Sequence, residues 1–226
     1  GQKRIGPSEP VYMVAELSGN HGGLLETALN MMKQAKQAKA DAIKIQVYRP
    51  DTITLNSNKP DFKIAADNAW AKFNTLYELY EHAHTPWHWL PELFDYAKEL
   101  DVDLFGSVFD ETAVEELERH RVVAYKIASP EICDLPLLKK VAQTNKPVIL
   151  STGVATLEDI ARAVNVLESS GASDIILLKC STAYPAPVHE VNLRTIPNLM
   201  ETFGYPVGFS DHTLGIGITL AAVSLG

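Results

Sequence analysis

The sequence holds only two cysteines in 226 residues, Cys133 and Cys180, far apart in the chain. With no Cys-x-x-Cys pair, neither a disulfide framework nor a structural zinc site is expected. Two isolated thiols of this kind are expected to be reduced, which suits a cytoplasmic protein. Basic clusters are missing as well, and the formal net charge is -8, which argues against nucleic acid as a partner. No apolar stretch is long enough to span a bilayer, so no membrane partner is expected. The polar opening Gly1–Pro10 shows no signal-peptide pattern. Neither internal repeats nor low-complexity segments occur.

What remains is ordinary globular composition, 46% hydrophobic and 21% charged, and the chain reads as one domain over 1–226. Short apolar runs predict strands at Val11–Leu17, Ala42–Tyr48, Val102–Val108, Val123–Ala128, Pro147–Ser151, Asp174–Cys180 and Pro206–Ser210. Helical patterns alternate with them, among them Thr27–Lys39, Thr75–His82, Glu111–Glu118 capped by Asp110, and a helix opened by the capping box Thr156-Leu157-Glu158-Asp159. Thr85 reads as the cap of a further helix with Pro86 at its first position. A long polar excursion covers Pro50–Ala69. Seven βα units in this order predict an α/β fold, a TIM (β/α)8 barrel lacking its eighth strand, which would lie beyond Gly226. The apolar, helix-like end Ala221–Gly226 predicts that the protein continues.

Polar residues recur where these runs close: Lys44, Lys126 and Ser129, Ser151-Thr152-Gly153, Lys179-Cys180, and Ser210-Asp211-His212. In a parallel barrel the strand C-termini form the rim that carries chemistry. An unpaired ammonium inside an apolar strand is costly. Lys44 and Lys126 therefore either meet an anion at the rim, with Ser107, Ser129 and Ser151 as hydroxyl donors, or form structural ion pairs with carboxylates. Glu16 and Glu131 are candidates for proton transfer; the alternatives are an ion pair of Glu16 with Lys44 and a helix N-terminal role for Glu131. His212 is a candidate metal ligand, although a single histidine does not make a site. His21 is placed to contact substrate, whereas His82, His84 and His88 read as solvated. Tyr184 either meets substrate or shapes a turn.

Several motifs, in order, carry a resemblance. Ala15-Glu16-Leu17-Ser18-Gly19-Asn20-His21-Gly22-Gly23, Lys44-Ile45-Gln46, Tyr125–Glu131, Ser151-Thr152-Gly153, Lys179–Pro185 and Phe209–Gly215 resemble signatures of the sialic acid synthase family. The match runs from about Ile5 to Gly226. Leu76–Tyr80, His84–Trp89 and Val191–Pro197 look most like the pseudaminic acid synthase branch. Two positions depart from the family pattern. Gly106-Ser107-Val108-Phe109-Asp110 stands where Ser-Thr-Pro-Phe-Asp is usual, and Thr182 stands where the sialic branch has Asn.

The resemblance implies a transferase that condenses phosphoenolpyruvate with an amino sugar, here 2,4-diacetamido-2,4,6-trideoxy-altrose, and releases phosphate by C–O cleavage. The product would be a nine-carbon, sialic-acid-like sugar for flagella and surface glycans. N-acetylneuraminate or legionaminic acid synthesis is the alternative. By resemblance, Lys44, Ser107, Lys126, Ser129, Ser151 and Ser210 bind phosphoenolpyruvate, with Gln46 and Asn20 beside them. Glu16, Glu131 and Tyr184 meet the sugar, and His212 is one of two histidine ligands of a divalent metal. That metal is usually manganese, with magnesium or cobalt as alternatives. The second histidine would lie in the eighth strand, and the family's C-terminal antifreeze-like domain would follow. Relatives are homodimers. Two other readings compete: an aldolase using Lys126 as a Schiff-base nucleophile, and a non-catalytic remnant.

Overall fold

A computed structural model describes residues 3–6, 8–68 and 70–226. Gly1, Gln2, Pro7 and Ala69, the last of which closes the expected polar excursion, lie outside the described residues. The chain divides into two compact units, Met13–Val122 and Val123–Gly226, the second taking in the N-terminal residues up to Tyr12.

The first unit contains three parallel strands in the order β1-β2-β3: β1 (Val14–Glu16), β2 (Ala42–Val47) and β3 (Asp103–Val108). Its helices are α1 (Leu25–Gln37), α2 (Pro50–Ile53), α3 (Leu76–Ala83), α4 (Leu90–Glu99) and α5 (Glu111–Arg119). Side chains alternate across a strand, and β2 shows the consequence. Ile43, Ile45 and Val47 are buried, as are Met32 of α1, Leu93 of α4 and Leu117 of α5, while Lys44 and Gln46 take the opposite face. Asp110 caps α5, accepting from Thr112 N at 2.7 Å. Thr75 caps α3, accepting from Glu78 N at 3.2 Å. Thr85 caps nothing: a 3-10 turn at Trp87–Trp89 follows Pro86 and leads into α4, whose cap Trp89 makes no side-chain hydrogen bond. The excursion after β2 is less irregular than expected, with α2, a 3-10 turn at Pro60–Phe62 and an antiparallel bridge between Lys63 and Thr75.

The second unit contains four parallel strands in the order β4-β5-β6-β7: β4 (Tyr125–Ile127), β5 (Val148–Ser151), β6 (Ile175–Cys180) and β7 (Val207–Ser210). Its helices are α6 (Leu135–Ala142), α7 (Leu157–Ser169), α8 (Thr195–Phe203) and α9 (Gly217–Val223). The Thr156 capping box is present, with Asp159 N donating to Thr156 Oγ1 at 3.2 Å and Thr156 N donating to Asp159 Oδ2 at 3.0 Å. Gly204 ends α8 at φ 72°, a conformation that costs glycine nothing. Tyr125, Ile127, Val148, Leu150 and Leu177 are fully buried, as are Leu138 and Val141 of α6 and Leu167 of α7.

Seven parallel strands therefore alternate with helices along the chain. This is the succession of the (β/α)8 barrel class, and it is the fold class that the sequence pattern predicts. No helix among the described residues is long and apolar enough to cross a membrane.

Candidate active site

In the first unit, parallel register puts Glu16 beside Lys44, and Gln46 beside Ser107, all on the face opposite the buried Ile43, Ile45 and Val47. Lys44 forms an ion pair with Glu16 and donates to Ser107 Oγ at 3.1 Å. Of the two alternatives for Lys44, a bound anion or an ion pair, the structure shows the ion pair with Glu16, and the Ser107 hydroxyl joins it. The Ser18–Gly23 loop follows β1 and separates Asn20 from His21. Asn20 is exposed, whereas His21 is 2% exposed and packs edge-on against Trp89 at 5.2 Å. Gly23 N–H donates to His21 Nδ1 at 3.1 Å, so that nitrogen is the acceptor. Burial, reinforced by His84 and His82, holds the His21 pKa below its usual value. His21 is therefore a neutral imidazole that shapes the loop, and its buried Nε2 finds no hydrogen-bond partner among the described residues.

In the second unit, Lys126 pairs in register with Ile149, Ser151 with Leu178, and Cys180 with Ser210. Because alternate residues share a face, Lys126, Ser151, Cys180 and Ser210 lie on one side of the sheet at the strand C-terminal ends. Ser129 follows β4, and its Oγ accepts from Gly153 N at 3.0 Å and contacts Cys180 Sγ at 3.1 Å. Ser151 is 1% exposed, and its Oγ has no hydrogen-bond partner among the described residues. A buried hydroxyl left unmatched costs stability unless a ligand completes it. Lys179 is different. It pairs with Phe209 on the opposite face and donates to the Cys180 carbonyl at 2.8 Å, with burial lowering its pKa. The sequence pattern grouped it with the rim cations, and the strand alternation removes it from them.

Glu131 lies in the 3-10 turn Pro130–Cys133 after β4, with Oε2 buried and unmatched among the described residues. Burial raises its pKa, while its own backbone N–H and the Lys126 charge pull it down. The net upward shift suits a carboxyl that moves a proton. It also costs stability, because the fold favours the protonated form. That cost is absent below the ordinary glutamate range, about pH 4, and grows as pH rises through the raised value. Glu131→Gln is therefore expected to raise the melting temperature relative to wild type at pH 7 but not at pH 4. An equal difference at both values would contradict the buried carboxyl.

His212 follows β7. Its Nδ1 lies 2.8 Å from the Ser181 carbonyl, an acceptor only, so Nδ1 is the donor there and Nε2 is the ring nitrogen left to face a ligand. This is how proteins orient a metal-binding imidazole. Nε2 is 3.5 Å from Ser210 Oγ, and the exposed Tyr184 ring lies 4.1 Å from the imidazole centroid. The donor fits one ligand of a divalent ion; no group of three such donors is assembled among the described residues.

Sequence reasoning missed the roles of Cys180, Gly153 and Ser181. Cys180 entered only as a reduced thiol and as the close of an apolar run, Gly153 entered only as part of a motif, and the orienting group of Ser181 is a backbone carbonyl. The retrospective signal was position: each stands within two residues of a strand end.

Comparison with known proteins finds several relatives. The pseudaminic acid synthase of Campylobacter jejuni subsp. jejuni serotype O:23/36 (strain 81-176) is 44% identical over 216 residues, covering 96% of this chain and 62% of that protein. The N,N'-diacetyllegionaminic acid synthase of C. jejuni subsp. jejuni serotype O:2 (strain ATCC 700819 / NCTC 11168) is 39% identical over 220 residues, covering 95% of this chain and 64% of the relative. The chain thus spans a little under two thirds of the length of these relatives. Among solved structures, N-acetylneuraminic acid (sialic acid) synthetase from Leptospira borgpetersenii serovar Hardjo-bovis, in complex with citrate, matches with a TM-score of 0.86 and 33% identity, covering 100% of this chain and 73% of that one. The NeuB family model matches residues 31–226, and on that match the chain belongs to the NeuB family.

Proposed function

We propose that this protein is a phosphoenolpyruvate-dependent nonulosonic acid synthase of the pseudaminic type. It condenses phosphoenolpyruvate with 2,4-diacetamido-2,4,6-trideoxy-altrose and releases phosphate. The observation that carries this reading is the face shared by Lys126, Ser151 and Ser210, with Ser129 beside it, where a buried Ser151 hydroxyl has no partner among the described residues. One cation and several hydroxyls on a largely buried surface suit an acceptor-only phosphate or carboxylate. The 44% identity to a pseudaminic acid synthase favours that sugar over the legionaminic substrate.

Carbon 3 of phosphoenolpyruvate attacks the aldehyde carbon of the open-chain sugar. Water adds at carbon 2, and the C–O bond to phosphate breaks. Lys126 and the serines hold the anion as charge redistributes. Glu131 exchanges the proton of the attacking water, and burial raises its pKa above the ordinary glutamate value. Lys44, Gln46 and Ser107 form a polar set of the same kind in the first unit, where the Glu16 carboxylate balances the Lys44 charge until an anion competes for it. Tyr184 offers its exposed phenol ring to the sugar. His212 Nε2 would hold a divalent ion, manganese in preference to magnesium or cobalt, which would supply Lewis acidity at the sugar carbonyl. The protein is further proposed to act in the cytoplasm as a homodimer, in a pathway for flagellar or surface sugars.

Phosphate release measured across a panel of amino sugars tests the proposal. Release is expected only with phosphoenolpyruvate, sugar and a divalent ion together, and fastest with the altrose derivative. Equal rates without sugar would overturn it, and a faster legionaminic precursor would change the substrate. Borohydride trapping of a Lys126 adduct would instead favour the aldolase reading.

A further inference from the structure

We propose that Cys180 is a positioning residue whose thiol, by donating to Ser129 Oγ, turns the Ser129 proton toward a bound phosphate or carboxylate. The inference rests on the function proposed above and adds a residue to its anion site. It starts from the bonding capacity of one hydroxyl, which has two lone pairs and one proton. Gly153 N–H fills one lone pair of Ser129 Oγ at 3.0 Å. Cys180 Sγ stands at 3.1 Å, where either atom can be the donor. With no ligand, Ser129 can give its proton to sulfur. An acceptor-only anion removes that option, because Ser129 must then donate to the ligand. The thiol hydrogen then takes the remaining lone pair, and all three bonding positions of Ser129 are fixed.

The surroundings admit little else. Cys180 is 4% exposed and Ser129 is 7% exposed. A Cβ at Gly153 would lie 2.7 Å from Cys180 Sγ, 3.0 Å from Ser129 Oγ and 3.2 Å from Thr182 Cγ2, so only a bare backbone N–H fits against the pair. A second observation points to a ligand on this face. Ser151 is 1% exposed and its Oγ is unmatched among the described residues, and its register partner Leu178 shares the face of Cys180. Sulfur is a weak donor and a weak acceptor. It therefore yields the serine proton readily to a charged acceptor, to which hydrogen bonds are stronger than to any neutral group.

Two substitutions separate positioning from packing. Cys180→Val removes the S–H and adds one methyl group, whereas Cys180→Ser keeps a donor. Loss of one hydrogen bond predicts that Cys180→Val raises the KM for phosphoenolpyruvate about tenfold, with kcat and the KM for the sugar nearly unchanged. Cys180→Ser is expected to restore the wild-type KM. An unchanged KM in Cys180→Val, or equal losses in both variants that track melting temperature, would overturn the proposal. A spectroscopic reading does not depend on turnover. In a Cys133→Ser background, the Cys180 S–H infrared stretch is expected to move on adding inorganic phosphate, and a stationary band would overturn the proposal. If wild type released no phosphate from phosphoenolpyruvate, the proposed function would fail, while the infrared result would still decide the role of the thiol.

Discussion

Lys126→Ala is expected to lower phosphate release by roughly 10²–10³-fold, the usual effect of deleting one preorganised donor to developing charge, while leaving the fold intact. The division of labour within β4 explains why. Tyr125 and Ile127 are fully buried and anchor the strand, while Lys126 alternates onto the other face and is half-buried. Truncating it removes charge from the candidate site without opening the core. A second effect distinguishes this loss from general damage. The Lys126 charge is one of the influences that hold the Glu131 pKa down, so removing it should raise that pKa further. The pH–rate profile of the residual activity should then shift to higher pH on its Glu131 limb. Lys126→Met keeps the aliphatic stem and should behave the same way. Unchanged turnover in either variant would take Lys126 out of the site, and a lost circular dichroism spectrum in both would make it structural.

Gly153→Ala is expected to impair both stability and phosphoenolpyruvate binding, although it adds a single methyl group. The backbone there is unstrained for alanine, so the effect is steric. The new Cβ would meet Cys180 Sγ at 2.7 Å and Ser129 Oγ at 3.0 Å. Overpacking of this kind costs about 1–3 kcal/mol, and each kcal/mol lowers the melting temperature by about 2–4 °C for a chain of this size. Separating Ser129 from the Gly153 N–H should also weaken anion binding. Adding Cys180→Ala should recover part of the stability, because it removes the nearest clash, and the double-mutant cycle measures that coupling. A Gly153→Ala protein with wild-type melting temperature and KM would show that the loop simply moves away.

Lys179 and Cys180 show how far linear pattern carries. Both close the same apolar run, and the sequence treats them alike. The strand turns one onto each face, so the more conspicuous cation leaves the site and the less conspicuous thiol enters it. Lys44 shows a different limit. On paper a bound anion and an ion pair with a carboxylate were alternatives; the structure shows the ion pair with Glu16, and Ser107 joins it because an ammonium has three donors. Thr85 marks a local error of the same origin. A Thr-Pro pair has cap chemistry, but Trp87–Trp89 form a 3-10 turn and α4 begins only at Leu90.

By itself the sequence determined the succession of seven strands and their helices, because apolar period and caps such as Asp110 and Thr156 act over a few neighbouring residues. It also determined membership of the family, because ordered motifs survive as text. Tertiary structure alone decided which rim side chains share a face, that His21 lies buried beneath Trp89, and that the Ser181 carbonyl orients His212. Those outcomes depend on register and on backbone groups from distant segments, and neither has a side-chain signature along the chain.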